Sequence, residues 1–96
     1  ETPEGISVCP FSGLTDVWTL KIEYYPVTRK AVELKSCKYY MNQLKNVGIY
    51  QEGVTKLIYD HYCAILGHNA IKVSTIFNVR GGHYVTCTED GMRKFK

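Results

Sequence analysis

The chain has 96 residues, 45% of them hydrophobic and 22% charged, and a formal net charge of +3. We expect one globular domain over residues 1–96 with a core of its own. Its basic residues are spread out, unlike the concentrated patch of strong nucleic-acid binders, and no apolar run has the length of a membrane span or a secretory signal. These features favour a cytoplasmic protein without membrane contact.

The first half of the chain begins with an extended lead-in over residues 1–8. Apolar and polar residues then alternate from Trp18 to Tyr24, which is typical of a half-buried strand. Pro26 ends that ladder in a turn. Residues 31–34 predict a short returning strand, so the two strands would form a hairpin.

Helical periodicity replaces the strand pattern from Lys35 onward. The first helix has apolar residues at helical spacing, and Gly48 is its predicted stop. The second helix carries an apolar stripe and ends at Gly67. The two stripes are Cys37, Tyr40, Met41 and Leu44, then Val54, Leu57, Ile58, His61 or Tyr62, and Ile65.

The last part of the chain predicts a second hairpin. Residues 71–79 alternate as a strand, Arg80-Gly81-Gly82 form a turn, and residues 83–88 pair back. The predicted order is therefore ββααββ, which gives an α+β fold with one four-stranded antiparallel sheet and two helices on one face. Such a sheet has open edges, and it can continue across subunits into a barrel.

Cysteine usage leaves two interpretations open. The even number of cysteines (Cys9, Cys37, Cys63 and Cys87) is compatible with two disulfides. We favour free thiols, because the chain has no secretory signal and no CxxC pair, and its apolar content is sufficient for a core. We expect no zinc site, because His61 and Cys63 are the only Cys or His residues with close ligand spacing, and they would point to different faces of a helix.

Cys9 and Asp16 form the most informative pair in the sequence. A thiolate is a strong nucleophile, and a nearby carboxyl group can donate a proton to an atom that becomes basic after attack. Pro10 and Gly13 predict a turn that would let both side chains face one pocket. By itself the spacing is more often explained by a buried thiol and a strand-capping carboxylate.

Four segments in order resemble the QueF family, the NADPH-dependent 7-cyano-7-deazaguanine reductases of queuosine biosynthesis. The segment Glu33-Leu34-Lys35-Ser36-Cys37-Lys38-Tyr39-Tyr40 is similar to that family's nicotinamide-cofactor motif. The resemblance also covers Cys9-Pro10 with Gly13 and Asp16, then residues 46–52 and the turn at residues 78–82. Several motifs in the right order are a strong indication, where any single one is weak.

The resemblance implies the tunnelling fold and a mechanism. Cys9 would add to the nitrile carbon and form a covalent thioimide, and Asp16 would protonate the nitrogen. Two hydrides from NADPH would then give the amine, with the protein orienting the cofactor. The family's barrel closes between subunits, so the resemblance further implies a symmetric homo-oligomer with its sites at subunit interfaces.

The resemblance also assigns the remaining site residues. Lys35, Ser36 and Lys38, with Arg80 and Gly81, would bind the NADPH phosphates, although exposed lysines more often form a solvated face. Val32, Glu33, Leu34, Gln51 and Glu52 would bind the deazapurine. Glu52 would accept two hydrogen bonds from the guanine-like edge, or it is an exposed carboxylate stabilised by the helix dipole.

The sequence departs from the family's pattern in two ways. Many family members carry His where this chain has Gln51, and Gln cannot shuttle protons. The chain is also short, like the QueF-like amidinotransferases, which act without NADPH on a nitrile carried by tRNA. Those relatives generally lack the lysine-rich motif that this chain has. A non-catalytic binding protein of the same fold is the third hypothesis.

Overall fold

A sheet of four antiparallel strands is the framework of the protein. In the computed structural model the elements are β1 (Thr2–Val8), β2 (Thr15–Tyr24), α1 (Leu34–Gln43), α2 (Gln51–Leu66), β3 (Ile71–Asn78) and β4 (Tyr84–Asp90). The structure describes residues 1–11, 13, 15–30, 34–45, 47–78 and 84–92. The strands lie side by side in chain order, each antiparallel to the next. The predicted α+β fold with ββααββ order is confirmed.

The first hairpin is formed by a different pair of strands from the one we predicted. The lead-in is itself strand β1, which pairs with β2, whereas Leu34 belongs to α1 rather than to a returning strand. Residues 31–33 of that predicted strand lie outside the described residues. The prediction missed β1 because its core-facing positions carry Gly5 and Ser7 instead of large apolar residues, so the usual alternation is absent.

One hydrophobic core joins the sheet to both helices. Trp18 and Leu20 of β2 and Ile71 and Val73 of β3 are almost completely buried. α2 packs on β3 and β4, and α1 packs on β1. Both helices contribute to the same core cluster, so they lie on one face of the sheet, as predicted. Their buried members are Met41, Val54, Ile58, Tyr62 and Leu66, and Leu44, just after α1, is buried with them.

The buried stripe of α2 differs in part from the predicted one. Gly67 ends the helix as predicted, with a left-handed φ of 76° and its N–H donating to the carbonyl of Cys63. Tyr62 is buried, but Ile65 is 58% exposed and Leu66 takes its place in the core. The core residues follow the i, i+4 row, which is inclined to the helix axis. Ile65 therefore turns away from the sheet at the end of the helix.

Tyrosines connect α1 to α2. The Tyr40 hydroxyl and Nδ1 of His61 are 2.7 Å apart and form a hydrogen bond. The Tyr62 hydroxyl donates to the Cys37 thiol over 3.1 Å, and the rings of Tyr40 and Tyr62 meet edge to face with centroids 5.7 Å apart. Burial raises the pKa of Tyr40 to about 12. Burial also raises the pKa of Tyr62, with a further contribution from its hydrogen bond to Cys37.

We expect the protein to lose stability as the pH rises from about 10 to about 12. A phenol whose pKa is higher in the folded state stabilises the fold fully below its unfolded value of 10.0, and this contribution disappears as the pH passes the folded value of about 12. Thermal unfolding followed by circular dichroism at pH 9, 10 and 11 measures the loss. Tyr40→Phe should lessen the fall in Tm, whereas Tyr39→Phe, at a side chain that is 60% exposed, should follow the wild type. Identical pH dependence in the two variants would contradict this explanation.

Candidate functional site

The predicted catalytic segment lies at one end of the sheet. β1 ends there at Val8, which pairs with Thr15 near the start of β2. Because neighbouring strands are antiparallel, β3 ends and β4 begins at the same end, which is also where α2 starts above Thr75 and Val85. The topology thus brings the Cys9 turn, the end of β3, the start of β4 and the start of α2 to a common edge of the sheet.

Cys9 lies directly after β1 in a tight turn. The N–H of Gly13 donates to the carbonyl of Cys9 over 2.8 Å and closes the turn. Gly13 has a φ of 71°, a left-handed conformation that glycine adopts without strain. Cys9 is half-buried, whereas Phe11 within the turn is 90% exposed. A glycine at position 13 therefore allows the chain to reverse direction immediately after the candidate nucleophile.

Asp16 lies on the face of β2 that carries the core. It is two residues before Trp18, and alternate residues of a strand share a face. Its partner across the hairpin is Ser7, which is buried on that same face. Cys9 follows Ser7 by two residues. The hairpin thus holds the backbones of Cys9 and Asp16 close to each other, with Asp16 on the side covered by the helices.

The connection between the helices lies against the Cys9 turn. A Cβ placed on Gly48 would be 3.9 Å from the Cα and the Cβ of Pro10. Gly48 is therefore in the neighbourhood of the turn and not the last residue of α1, which ends at Gln43. The contact brings the start of α2, with Gln51 and Glu52, to the same end of the molecule as Cys9.

The side chain of Gln51 is held by the sheet. Its Nε2 donates to the carbonyl of Thr75 over 3.1 Å and to the carbonyl of Val85 over 2.7 Å. The Thr55 hydroxyl donates to the carbonyl of Gln51 and shares a hydrogen bond of 2.6 Å with the Thr75 hydroxyl. Both amide protons of Gln51 are thus used within the protein. A ligand would meet the Oε1 atom, which accepts hydrogen bonds and does not titrate.

Glu52 is exposed in the first turn of α2. The N-cap residue, Tyr50, makes no side-chain capping bond, and the first helical bond runs from the N–H of Val54 to the carbonyl of Tyr50. An acidic side chain near these amide groups is favoured by the helix dipole. This position is compatible with both interpretations of Glu52, and its role in substrate binding stays a prediction.

The residues expected to bind NADPH are only partly described. Ser36 and Lys38 are exposed in the first turns of α1, where an anion could reach them and the backbone amides of the helix N-terminus. Lys35 and Leu34 belong to the same helix. Val32, Glu33, Arg80 and Gly81 lie outside the described residues. The described hydroxyl and ammonium groups fit the phosphates of a dinucleotide.

Within one chain, these cofactor residues are at the far end of α1 from the catalytic turn. Ser36 precedes Gln43 by seven residues, or about 10 Å along the helix axis. The residue seen in contact with Pro10, Gly48, follows the C-terminal end of α1. Ser36 and Lys38 therefore lie at the opposite end of α1 from the connection that contacts the Cys9 turn.

Sequence reasoning missed the residues that shape the hairpin next to Cys9. Gly5 makes room for the indole ring of Trp18, and Ser7 accepts a hydrogen bond of 3.1 Å from Nε1 of Trp18. The sequence does contain a sign of this arrangement: Gly5 and Ser7 are small residues at alternate positions, ahead of the large aromatic residue Trp18. That pattern becomes informative only when the pairing of the two strands is known.

Disulfides, metal ligands and membrane-spanning helices can be checked in the described part of the chain. The four cysteines all lie in the described part of the chain, and none is joined to another in a disulfide. Among the described residues, no group of three or more His, Cys, Asp and Glu side chains is placed to bind a metal ion. Neither helix has the length and apolar character that crossing a bilayer requires.

Comparison with known proteins identifies the family. Residues 15–94 match the family model described as QueF-like protein, a range that begins after Cys9. A protein of Thermotoga petrophila named NADPH-dependent 7-cyano-7-deazaguanine reductase is 54% identical over 82 residues, which are 85% of this chain and 60% of the relative. Proteins of the same name from Chlorobium phaeobacteroides and Prosthecochloris aestuarii are 44% and 41% identical over 86 residues, each covering 90% of this chain and 72% of the relative.

The chain thus spans about 60% of the length of its Thermotoga relatives. The match nevertheless includes both helices and strands β2, β3 and β4. From the extent of this match and the identities above, the chain belongs to the QueF-like protein family.

Proposed function

We propose that this protein reduces the nitrile of 7-cyano-7-deazaguanine to the primary amine of 7-aminomethyl-7-deazaguanine with NADPH. The observation that carries the proposal is the 54% identity to a relative named for this reaction. The hairpin that places Cys9 and Asp16 close together adds independent support from chemistry. The substrate class is a free deazapurine nitrile.

In the proposed reaction the chain supplies a nucleophile and an acid. The Cys9 thiolate adds to the nitrile carbon, which turns the triple bond into a C=N bond and places a negative charge on nitrogen. Asp16, which takes the proton of the Cys9 thiol as the thiolate forms, donates that proton to the nitrogen, and the product is a thioimide. NADPH, when bound, would supply two hydrides to the nitrile carbon. The C–S bond breaks and the Cys9 thiolate leaves between the first hydride and the second, and protons from solvent complete the amine.

The remaining proposed site residues bind the substrate and the cofactor and orient them. The exposed carboxylate of Glu52 can accept two hydrogen bonds from the N–H and exocyclic amine of the ring. Oε1 of Gln51 adds one acceptor at the start of the same helix. Ser36 and Lys38, with Lys35, Arg80 and Gly81, would hold the cofactor phosphates. Val32, Glu33 and Leu34 complete the proposed substrate pocket.

We further propose a symmetric homo-oligomer whose active sites lie between subunits. Within one chain, Ser36 and Lys38 are at the end of α1 remote from the connection that contacts the Cys9 turn, so we expect the cofactor residues of a neighbouring chain to serve each site. β1 and β4 each have a neighbour on one side only within the described sheet, and those edges could continue the sheet across subunits into a barrel. Light scattering that showed a monomer would contradict this arrangement. The cysteine thiols fit a reducing compartment such as the cytoplasm.

A direct assay tests the proposed function. The protein is mixed with 7-cyano-7-deazaguanine and NADPH, and the nicotinamide absorbance is followed. We expect its decay at two equivalents of NADPH for each nitrile, because conversion of a nitrile to an amine consumes two hydrides. An adduct at Cys9 without any loss of NADPH would reject the reductase.

Asp16→Asn is expected to leave the fold intact and to reduce kcat by about 10²- to 10⁴-fold. The amide has nearly the same shape as the acid, but it cannot serve as the proton donor. The measurement is the steady-state rate of NADPH oxidation at saturating nitrile. Asp60→Asn is the matched control, since Asp60 forms an exposed ion pair with Lys56 on α2 at 3.0 Å, and it should retain wild-type rates. Full activity in Asp16→Asn would dismiss Asp16 as the acid.

A further inference from the structure

The relative placement of Cys9 and Asp16 depends on the register of one hairpin. Ser7 pairs with Asp16, and Val8 pairs with Thr15. Side chains alternate between the two faces of a strand, so a slip of β1 by one residue along β2 would move Ser7 and Cys9 to the opposite face of the sheet from Asp16. Whatever fixes this register therefore fixes the position of the candidate acid relative to the candidate nucleophile.

The turn itself leaves this register open to change. Glycine at position 13 allows many backbone conformations, and Phe11 within the turn is 90% exposed. At the other end of β1 the pairing is irregular, with a register shift between Thr2 and Gly5. The register must then be determined between these two points, in the segment from Gly5 to Val8.

In that segment the indole ring of Trp18 contacts β1 in two ways. Gly5 is its partner across the hairpin, and a Cβ on Gly5 would lie only 2.1 Å from Cε3 of the ring. The ring therefore lies directly on the backbone of β1, at a position where only glycine leaves room. Nε1 of Trp18 donates to Oγ of Ser7 over 3.1 Å, and both residues are buried. Any other register would place a side chain under the ring and leave the indole N–H without this acceptor.

The ring is fixed from its other side too. Phe77 of β3 stacks on Trp18 with centroids 5.6 Å apart and ring planes 5° from parallel. Trp18 is 1% exposed, so it has no space into which it could move. The indole thus fixes β1 relative to the central strands β2 and β3. Trp18 is two residues from Asp16 on β2, and its hydrogen-bond partner Ser7 is two residues from Cys9 on β1.

We infer that Ser7 and Gly5 are positioning residues, which act through Trp18 to hold Asp16 next to Cys9. This inference rests on the proposed function for its significance, since Cys9 and Asp16 are the proposed nucleophile and acid. It assigns a role to a buried serine that would otherwise be only part of the core. It does not place Ser7 in contact with the substrate.

A charge-coupling experiment tests this inference without relying on enzymatic activity. The rate at which iodoacetamide alkylates Cys9 is measured by peptide mass spectrometry in the wild type, Asp16→Asn, Ser7→Ala and the double variant. Removing a negative charge near Cys9 favours the thiolate, which is the reactive form. Diagonal neighbours across a hairpin are typically about 7–8 Å apart, and at that separation, even with the screening of water, Asp16→Asn should accelerate alkylation at least about twofold.

In the Ser7→Ala background, we expect Asp16→Asn to accelerate the alkylation of Cys9 by less than half as much as it does in the wild type. Ser7→Cys, which keeps a weak acceptor for the indole N–H, should restore part of that acceleration. Trp18→Phe, which keeps a ring but loses the N–H, should behave like Ser7→Ala and provides a second variant if Ser7→Ala folds poorly. Leu66→Val is the control for general destabilisation, because Leu66 is buried at the opposite end of α2 from the Cys9 turn.

Two results would overturn the inference. The first is an undiminished effect of Asp16→Asn in folded Ser7→Ala and Trp18→Phe. The second is the absence of any effect of Asp16→Asn in the wild-type background, which would show that the register does not bring the two groups together. Failure of the proposed function is recognised separately, as a wild-type protein that consumes no NADPH although its Cys9 responds to Asp16.

Discussion

Cys9→Ala is expected to reduce NADPH oxidation with 7-cyano-7-deazaguanine by at least about 10³-fold, the effect typical of losing a covalent nucleophile. Alanine lacks the sulfur that would attack the nitrile carbon. The fold should persist, because Cys9 is half-buried in a turn and not part of the core. Steady-state absorbance at 340 nm measures the loss, and circular dichroism checks the fold.

The covalent step can be observed separately from reduction. Without NADPH, wild-type protein incubated with the nitrile should gain the mass of one substrate molecule on the peptide that contains Cys9. Cys9→Ala should show no such gain. Cys63→Ala is the matched control, because Cys63 is also a half-buried thiol but lies on α2, close to its C-terminal end. An adduct that persists in Cys9→Ala would remove Cys9 from the mechanism.

The sequence predicted those elements whose apolar residues repeat at a regular spacing. The alternation from Trp18 to Tyr24 and from residue 71 onward corresponds to β2 and β3, and Gly67 marked the end of α2. It did not predict β1, because a strand that receives a large ring from its neighbour carries Gly5 and Ser7 where apolar residues would be expected. Such complementarity is a property of the pair of strands and cannot be found in either one alone.

In the candidate site too, the sequence indicated individual residues but not how they are placed relative to one another. Cys9 and Asp16 could be selected from chemistry and resemblance, and the hairpin brings their backbones together. Gln51 was selected as a substrate ligand, but its two hydrogen bonds to the sheet could not be foreseen, since they depend on how α2 crosses β3 and β4. The separation between Ser36 and Cys9 depends on the direction of α1, which periodicity does not specify. What the sequence lacks in each case is the relative placement of elements distant along the chain.

Gly5→Ala is expected to cause the largest loss of stability of any single methyl addition to β1. The new Cβ would lie 2.1, 2.3 and 2.6 Å from three atoms of the Trp18 ring, far closer than atoms can approach. The ring cannot withdraw, because it stacks on Phe77 and is 1% exposed. Either β1 must move away from β2 or the indole must leave the core, and each loses the hydrogen bond between Trp18 and Ser7.

We expect a destabilisation of at least about 3 kcal/mol, at the upper end of the range for overpacked cores. For a chain of 96 residues this corresponds to a fall in Tm of more than about 10 °C. Chemical and thermal unfolding followed by circular dichroism measure both quantities. Gly48→Ala is the matched control, since its Cβ would lie 3.9 Å from Pro10, an ordinary contact distance, and its stability should remain within about 1 kcal/mol of the wild type.

The same variant links stability to catalysis. If β1 separates from β2 while the rest of the core holds, Gly5→Ala should lose nitrile reduction at temperatures well below its Tm, because Cys9 follows β1 and Asp16 belongs to β2. Trp18→Leu in the Gly5→Ala background removes the overlap and should recover part of the stability, but without the indole N–H it should not recover the activity. A Gly5→Ala protein with wild-type Tm would show that the ring does not lie on β1, and the account of the hairpin would fail with it.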